Sequence, residues 1–499
     1  MTAKKVIEKN RTDTIDIVIF FLLSLFSTFF TLGSFTKAED ESQYNSGFYI
    51  FDRFFSYNPG KATNLYIFIP ALIIYLALLV WFINLRYQKT KKQPSKYLLA
   101  AFLVFVVSRL ISTFSFPYGE EGYIFTSPFD QSVKEVIYSG YDIKSRIISL
   151  ADEILFYSYF FIVMDYIKTF SKGFDIGVRF FLFFFIALGV VANIYSYITE
   201  ANLLKNNLEA FFVDHNKEML MLVSFTSNRN IYGFLLFMAY SSCFVLAFTS
   251  KPNIVYGLLA FYFMVSDLFI YSRTPFGIMV VLSLVWVSIH AFTYFKEHRG
   301  YSILDIVVLS FVALVFILAF TAFRNSSFTQ GIVSNFLDYL NLDTLFSRND
   351  CTLRSLSMLN SPYYWIFGYG RYPFITIQND YGLDIYSWTS HNSYVDMLMF
   401  FGILGLIMLL AFFMYPLYQE YLLIKKKDSI VLAFIALNIS YLVYSYYEPR
   451  MLFLMEGCNI FFLLIFLFPL SREALLSSKM KETDINSQNQ LKKELLSNL

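Results

Sequence analysis

Long apolar runs separated by short polar segments are the dominant pattern along this chain. A helix needs about 20 apolar residues to cross a bilayer, and runs of that length recur throughout the sequence. The pattern predicts spanning helices at residues 15–35, 64–84, 97–116, 148–167, 180–199, 231–250, 254–272, 275–295, 303–322, 391–415, 429–447 and 451–470. We expect very short turns between the three runs that lie in residues 230–295.

The distribution of Lys and Arg gives these helices a direction. With a cytoplasmic N-terminus and strict alternation, the inside segments hold about 23 of the 39 cations, as the positive-inside rule requires. The sequence therefore predicts nine spans in residues 1–322 and a large extracytoplasmic loop at 323–390. Three further spans follow in residues 391–470, and residues 471–499 form a cytoplasmic tail.

Composition favours the same class. The chain is 57% hydrophobic and only 15% charged, whereas soluble domains average about 25% charged residues. We predict an all-α polytopic membrane protein with about twelve transmembrane helices. A net charge of +2 gives no field that would attract nucleic acid, and the three cysteines lack metal-ligand spacing, so no metal centre is predicted.

The cations of the predicted outer segments beyond Lys217 are all arginines. They are Arg229, Arg273, Arg324, Arg348, Arg354, Arg371 and Arg450. The planar guanidinium matches phosphate oxygens bidentately and stays charged, so the bias favours a phosphate or pyrophosphate site at the outer leaflet. Drift in a small sample is the alternative reading.

The large loop is rich in aromatic residues. Trp365, Tyr369 and Trp388 stand near Arg, Asp and Asn residues, and segments 332–346 and 351–360 have the spacing of short amphipathic helices. Aromatic rings beside polar groups suit sugars, which stack an apolar face and bond at their edges. Packing of a loop cap on the bundle would require the same aromatics.

A histidine stands where the tenth span begins. His391 is followed by Asn392, and Asn392 and Asp396 share a helix face at i, i+4. Gly402 and Gly405 follow, and we expect them to let a neighbouring helix come close.

Three short outer turns add polar residues on the same predicted side of the membrane. They are Asn228-Arg229-Asn230, Ser272-Arg273-Thr274-Pro275 and Glu448-Pro449-Arg450. Their convergence with His391 matters more than any one of them.

These motifs resemble the O-antigen polymerase and O-antigen ligase superfamily, which includes Wzy-type capsule polymerases. His391-Asn392, nine residues and then Gly402-x-x-Gly405 is similar to the hallmark of that family. Arg354, Pro362, Gly368 and Gly370 look like the stretch upstream of it, and Ser272-Arg273 looks like its mid-chain pair. The resemblance covers residues 225–413.

The resemblance implies a GT-C-like glycosyltransferase in the bacterial cytoplasmic membrane, with its active site facing the periplasm or cell exterior. Donor and acceptor would be undecaprenyl-pyrophosphate-linked glycans, with no nucleotide sugar and neither cofactor nor metal. A chain-length regulator and a flippase are its implied partners besides membrane lipid.

Roles follow from the chemistry of such a transfer. A hydroxyl of the incoming repeat attacks the anomeric carbon and lipid pyrophosphate leaves, so cations aimed at the leaving group are the main catalytic device. Arg273 and Arg354 are the first candidates, followed by Arg229 and Arg371, and then by Arg348 and Arg450.

A proton acceptor for the hydroxyl is also needed, or a group that orients it. His391 leads, because its ordinary pKa lies near neutrality, with Glu448 and Asp396 as alternates. Asn392, Trp365, Trp388 and Tyr369 are the predicted glycan-binding residues.

Two other functions stay open at this point. An O-antigen ligase or O-oligosaccharyltransferase would share the motifs while transferring finished glycan to lipid A-core or to protein. A lipid-linked oligosaccharide flippase would place charges at the bilayer midplane, where this sequence offers Arg109 and Asp267.

Overall fold

The computed structural model of the chain is mostly helical. It describes residues 14–15, 17–25, 73–74, 76–81, 83–84, 96–114, 120–126, 133–140, 150, 154, 163, 167, 171–213, 217, 219–226, 229–249, 253–297, 352–353, 355–356, 359, 361–368, 373–378, 386–387, 392–424, 430–447 and 461–470. The prediction of a mainly helical chain is confirmed for this part.

Ten helices and four strands are numbered here in chain order. They are α1 (Lys96–Phe114), β1 (Glu120–Thr126), β2 (Val133–Gly140), α2 (Ser171–Thr199), α3 (Ala201–Phe212), α4 (Arg229–Thr249), α5 (Asn253–Ile270), α6 (Arg273–Glu297), α7 (Pro362–Phe367), β3 (Pro373–Gln378), β4 (Tyr386–Ser387), α8 (Ser393–Ile424), α9 (Ile430–Tyr447) and α10 (Phe461–Leu470).

Five helices match their predicted spans within two residues at each end: α1, α4, α5, α6 and α9. The very short turns predicted between α4, α5 and α6 are confirmed. Helix α2 begins at Ser171 rather than at residue 180. The span predicted at 303–322 lies outside the described residues, as do the tail from 471 and the amphipathic segment 332–346.

Two described helices are long and apolar enough to cross a membrane. They are Gly173–Thr199 within α2 and Arg229–Thr249, which is α4. Almost all of α4 is buried, so this helix lies at the centre of the bundle, whereas α2 has one exposed side. Shorter apolar stretches occur in α1, α5, α6, α9 and α10.

The exposed sides of the peripheral helices are apolar. On α1 the exposed residues include Leu103, Val107 and Leu110, and on α6 they include Val281 and Leu284. Their spacing of three and four residues places them on one face of each helix. Monomeric soluble proteins rarely expose contiguous apolar faces of this size, so the surface is of the kind that lipid covers.

Arg179 joins three helices at one end of the bundle. Its Nε bonds Asp175 one turn earlier at 3.1 Å, and its Nη atoms donate to the carbonyl of Thr249 at 3.4 and 3.5 Å. The guanidinium also lies 5.2 Å from the Phe468 ring centroid. Because Thr249 ends α4, the cation meets the negative end of that helix.

A small antiparallel sheet corrects the all-α prediction. Its order is β1-β2-β3-β4, with Tyr123 opposite Val136, Tyr138 opposite Ile375, and Thr376 opposite Ser387. Strands β1 and β2 lie between the third and fourth predicted spans, and β3 and β4 lie in the loop 323–390. The pairing of β2 with β3 requires these two segments to lie on the same side of the bundle.

Helix α8 covers nearly all of the predicted span 391–415, extends beyond it and is broken at Gly402. It runs from Ser393 to Ile424, so residues 416–424 of the predicted cytoplasmic segment are helical as well. At Gly402 the backbone turns to φ 65° and ψ −172°, a region open essentially to glycine alone. The break leaves a short first part before it and a long second part after it.

The short helix α7 packs its last turn onto this break. A Cβ atom at Gly402 would overlap the carbonyl of Ile366 and lie 2.6 Å from the amide nitrogen of Phe367. Gly368, which ends α7, has nearly the same backbone at φ 70° and ψ −177°. The prediction that Gly402 admits a close neighbour is confirmed, and that neighbour is the backbone of α7.

At Gly405 the neighbour is in the same helix. The Phe401 side chain folds over Gly405, where a Cβ atom would overlap it. The Phe401 ring then receives the Arg109 guanidinium at 4.1 Å and the Phe105 ring at 6.3 Å, both from α1. Gly405 therefore makes room for a ring that holds α1, instead of for another helix as predicted.

We expect Gly402→Ala to destabilise the fold because its backbone and its packing both require glycine. The conformation alone costs about 1–3 kcal/mol for other residues, and overlap with Ile366 adds to that. Thermal unfolding in detergent measures the change.

Gly277→Ala is the matched control, since nothing lies within 4 Å of its Cβ position in α6. This variant should match the wild type or gain slightly from helix propensity. Equal midpoints for the two variants would contradict the contact between α7 and α8.

Candidate functional site

The candidate site lies where α2 and α5 end and where α4 and α6 begin. These four ends meet on the side of the bundle opposite Arg179. The segment 219–226, which precedes α4, is bound to α2 by side chains. Because it leads directly into Arg229, its placement determines where that arginine lies.

Glu200 holds this segment. Its carboxylate oxygens accept hydrogen bonds from the backbone N–H groups of Val223 and Ser224, both at 3.0 Å, and from the Ser196 hydroxyl at 2.7 Å. Ser224 has a left-handed backbone, with φ 56°, and its hydroxyl donates to the carbonyl of Ala192 at 2.7 Å. One carboxyl group thus satisfies two backbone amides and fixes a tight turn.

Asn207 of α3 binds the preceding stretch. Its Oδ1 accepts from the Leu220 N–H and its Nδ2 donates to the Leu220 carbonyl, both at 2.7 Å. The same Nδ2 donates to the carbonyl of Phe269 at 2.9 Å, near the end of α5. The amide therefore ties the segment to two helices.

Two arginines share one tyrosine ring at this end. The Arg229 and Arg273 guanidinium carbons lie 5.5 and 5.0 Å from the centroid of the Tyr271 ring, and Arg273 Nη2 donates to the Tyr271 hydroxyl at 2.7 Å. Cation–π contacts of this kind contribute about 0.5–1 kcal/mol each at exposed sites. All three residues are half-buried, so the charged groups reach the surface.

The backbone at Tyr271 produces this geometry. Tyr271 has φ 63°, a left-handed conformation that costs about 1–2 kcal/mol for a residue with a Cβ atom. With Ser272 it makes the whole connection between α5 and α6. The left-handed turn brings the ring beside the first residues of both α4 and α6.

The arginines occupy positions that helices disfavour for cations. Arg229 is the first residue of α4 and Arg273 is the first residue of α6, and neither first turn contains an acidic residue. The N-terminus of a helix carries partial positive charge and favours anions. Two helix N-termini and two guanidinium groups thus concentrate positive potential in one place, which is the electrostatic requirement for binding an anion.

A buried acidic group lies one helical turn deeper. Gly233 follows Arg229 by four residues on α4, and Asp267 precedes Tyr271 by four residues on α5. A Cβ atom at Gly233 would lie 2.6 Å from Oδ1 of Asp267 and would overlap the Ser272 side chain. Within the described part of the chain, the Asp267 carboxylate oxygens and the Ser272 hydroxyl have no hydrogen-bond partner.

A second group of predicted residues lies at the start of α8. Asn392 caps the helix, since its Oδ1 accepts from the N–H groups of Tyr394 and Val395 at 3.0 and 3.3 Å. Asp396 lies in the first turn and is buried. Trp365 of α7 has 42% of its surface exposed, as a residue that stacks on a ligand requires.

Helix α9 lies between the two groups. Its Tyr444 stacks on Phe234 of α4 with ring centroids 5.4 Å apart and planes 6° from parallel. The carbonyl of Leu442 accepts a hydrogen bond from the Tyr394 hydroxyl at 2.7 Å. The same end of α9 thus connects the arginine pair with the start of α8.

The structure brings Arg229 and Arg273 together and describes Asn392, Asp396 and Trp365. The other predicted site residues lie outside the described residues: His391, Arg348, Arg354, Arg371, Arg450, Glu448, Tyr369 and Trp388. Sequence reasoning missed Tyr271 and Glu200. A bulky residue in a two-residue turn before Arg273, and an acid directly after an apolar run, were the available signals.

No protein-family model matches the chain, and no curated protein matches it significantly. In the described part of the chain, no three His, Cys, Asp or Glu side chains cluster as metal ligands would. The site must therefore be interpreted from its own charges and contacts.

Loss of the Glu200 carboxylate should release the segment 219–226. In Glu200→Ala the amides of Val223 and Ser224 lose a charged acceptor, and each such bond contributes about 1.5–3 kcal/mol. Hydrogen exchange at these two amides should accelerate by on the order of tenfold or more. Glu209→Ala is the control, because that carboxylate bonds Lys217 instead. Unchanged exchange in Glu200→Ala would show that the segment is held by other contacts.

Proposed function

We propose that the chain is a polymerase that joins undecaprenyl-pyrophosphate-linked oligosaccharide repeats into O-antigen or capsular polysaccharide. It would be a metal-independent, GT-C-like glycosyltransferase with about twelve spans, acting at the outer face of the bacterial cytoplasmic membrane. The observation that carries the proposal is the pair of arginines on Tyr271, placed at two helix N-termini. The resemblance of the His391–Gly405 motif supplies the reaction class.

The arginine pair suits a pyrophosphate for three reasons. Two guanidinium groups match the two phosphates of the leaving group, the helix N-termini add to the positive field, and partial exposure admits a large ligand. Stacking on Tyr271 holds both forks in place before the ligand arrives. Such preorganisation is what stabilises charge that develops in a transition state.

In this mechanism the growing glycan is the donor. A hydroxyl oxygen of the lipid-linked repeat attacks the anomeric carbon, and a new glycosidic C–O bond forms. The bond from that carbon to the pyrophosphate oxygen breaks, and its electron pair leaves with the lipid pyrophosphate. Arg229 and Arg273 stabilise the departing charge, together with Arg354 in the proposed set. His391 takes the hydroxyl proton or orients the hydroxyl.

Arg273→Ala should abolish most polymerisation because it removes one preorganised cation. Loss of one such group typically costs about 10²–10³ in turnover. The readout is the glycan ladder that purified protein makes from lipid-linked repeat units. Arg273→Lys should recover little, because an ammonium group keeps the charge but loses the planar fork.

Lys205→Ala is the matched control for this experiment. Its ammonium group is an exposed cation on the helix that follows α2, and it lies 3.9 Å from Glu209. Its loss should leave the ladder intact. A full ladder from Arg273→Ala would refute the role of the pair. In a deletion strain, long glycan left on the lipid carrier would identify a ligase instead, and repeats trapped on the inner leaflet would identify a flippase.

His391→Ala tests the role of the proton acceptor independently of the arginines. Turnover should fall because the acceptor hydroxyl loses its proton acceptor or its orienting group, by about 10²–10⁴ if His391 is the general base. Thermal unfolding should stay at the wild-type midpoint. Normal rate and chain length in this variant would exclude a catalytic role for His391.

A further inference from the structure

Helix α3 lies across the ends of its neighbours instead of continuing either of them. It starts at Ala201, two residues after α2 ends, and Phe211 and Phe212 place their rings 5.9 and 6.0 Å from the ring of Phe269 near the end of α5. Its 12 residues extend about 18 Å. A helix placed over two helix ends runs along the surface from which those helices emerge.

The chain after α3 folds back along it. Lys217 Nζ donates to Glu209 Oε2 at 2.7 Å, Leu220 is bound by Asn207, and Val223 is bound by Glu200. As the residue number rises from 217 to 223, the number of its partner falls from 209 to 200, so the two segments run in opposite directions. Residues 217–224 and α3 therefore form one antiparallel layer.

This layer exposes large apolar side chains. Met221 has 60% of its surface exposed, and Leu208, Phe212 and Leu220 are also exposed. These four residues are called the apolar lip below. Monomeric soluble proteins rarely expose a cluster of large apolar side chains, and such clusters mark surfaces that contact a membrane or a partner.

The sides of α3 are arranged as at a membrane interface. With 100° between successive residues, Leu208 and Phe212 lie together, while Asn202 and Glu209 lie on the neighbouring side and Lys205 lies between. Lys217 stabilises the charged carboxylate and lowers the pKa of Glu209 below its ordinary value, so that side stays polar. A lysine at the border can reach water while its stem covers apolar surface.

The lip continues the apolar face of α2. That helix exposes Val191, Ile194 and Ile198, which share one side. Because α2 has the length and hydropathy of a span, this side is the one that lipid covers. Ile198 lies next to the last residue of α2 and α3 begins at Ala201, so the lip follows this side closely along the chain.

We propose that α3 is an interfacial helix whose apolar lip is seated in the acyl boundary of the bilayer leaflet at this end of the bundle. The inference needs only α2 as a span and is independent of the proposed polymerase activity. The proposal also predicts the depth of the arginine pair in the membrane. Residues 217–226 lead from the lip to Arg229, so the seated lip holds the arginine pair at the level of lipid phosphates.

Nitroxide labels at single cysteines test the proposal in vesicles of phosphatidylethanolamine and phosphatidylglycerol. The labelled variants are Leu208→Cys, Met221→Cys and, as the matched control on the polar side, Asn202→Cys, with the native cysteines replaced by serine. At positions 208 and 221 the label should relax faster with oxygen than with a water-soluble nickel complex. The label at 202 should show the reverse preference.

Two results would overturn the proposal. Equal nickel access at all three positions would place the lip in water, and exclusion of both reagents at 208 and 221 would mean that protein covers it. A second arm keeps the native cysteines and uses Phe212→Trp with acyl-brominated lipid. After subtraction of the parent signal, the added tryptophan should be quenched, and unquenched emission would contradict a seated lip.

Discussion

Contact between the backbone of Gly402 and the last turn of α7 organises one whole end of this molecule. Gly402 cannot carry a side chain at that point, and both Gly402 and Gly368 adopt a backbone that other residues avoid. The break in α8 that results turns Phe401 over Gly405 and under Arg109 of α1. One glycine thus links the placement of α7, α8 and α1.

The candidate site also contains features that lower stability. A cation at the first residue of a helix opposes the helix dipole, and two helices begin with an arginine here, beside a tyrosine in a left-handed turn. Features that reduce stability persist where something else requires them. The arginine pair and the turn at Tyr271 belong to one such place, and so does the Asp267 carboxylate below them, which has no hydrogen-bond partner among the described residues.

Sequence could predict the helices well because apolar runs of spanning length are hard to mistake, and α1, α4, α5, α6 and α9 begin and end close to where hydropathy placed them. It could not find the break at Gly402, since the apolar run continues through it. It also missed the sheet, because β2 and β3 are short and lie more than 230 residues apart in the chain.

The candidate site shows the same limit. Residue type and predicted side drew attention to Arg229 and Arg273, but the ring they share follows from one positive φ angle at Tyr271 that no periodicity encodes. Asn392 was a predicted glycan ligand, and the structure adds a local task, because its Oδ1 caps α8. A sequence predicts that a side chain caps a helix only when the first residue of that helix is known.

The sheet also orders events in time. A two-stranded hairpin is marginally stable alone in water, and β1 with β2 gains a third strand only from Pro373–Gln378. During synthesis the hairpin must therefore wait until α2 to α7 have been made before β3 exists. The sheet is thus completed only after those six helices have been synthesised.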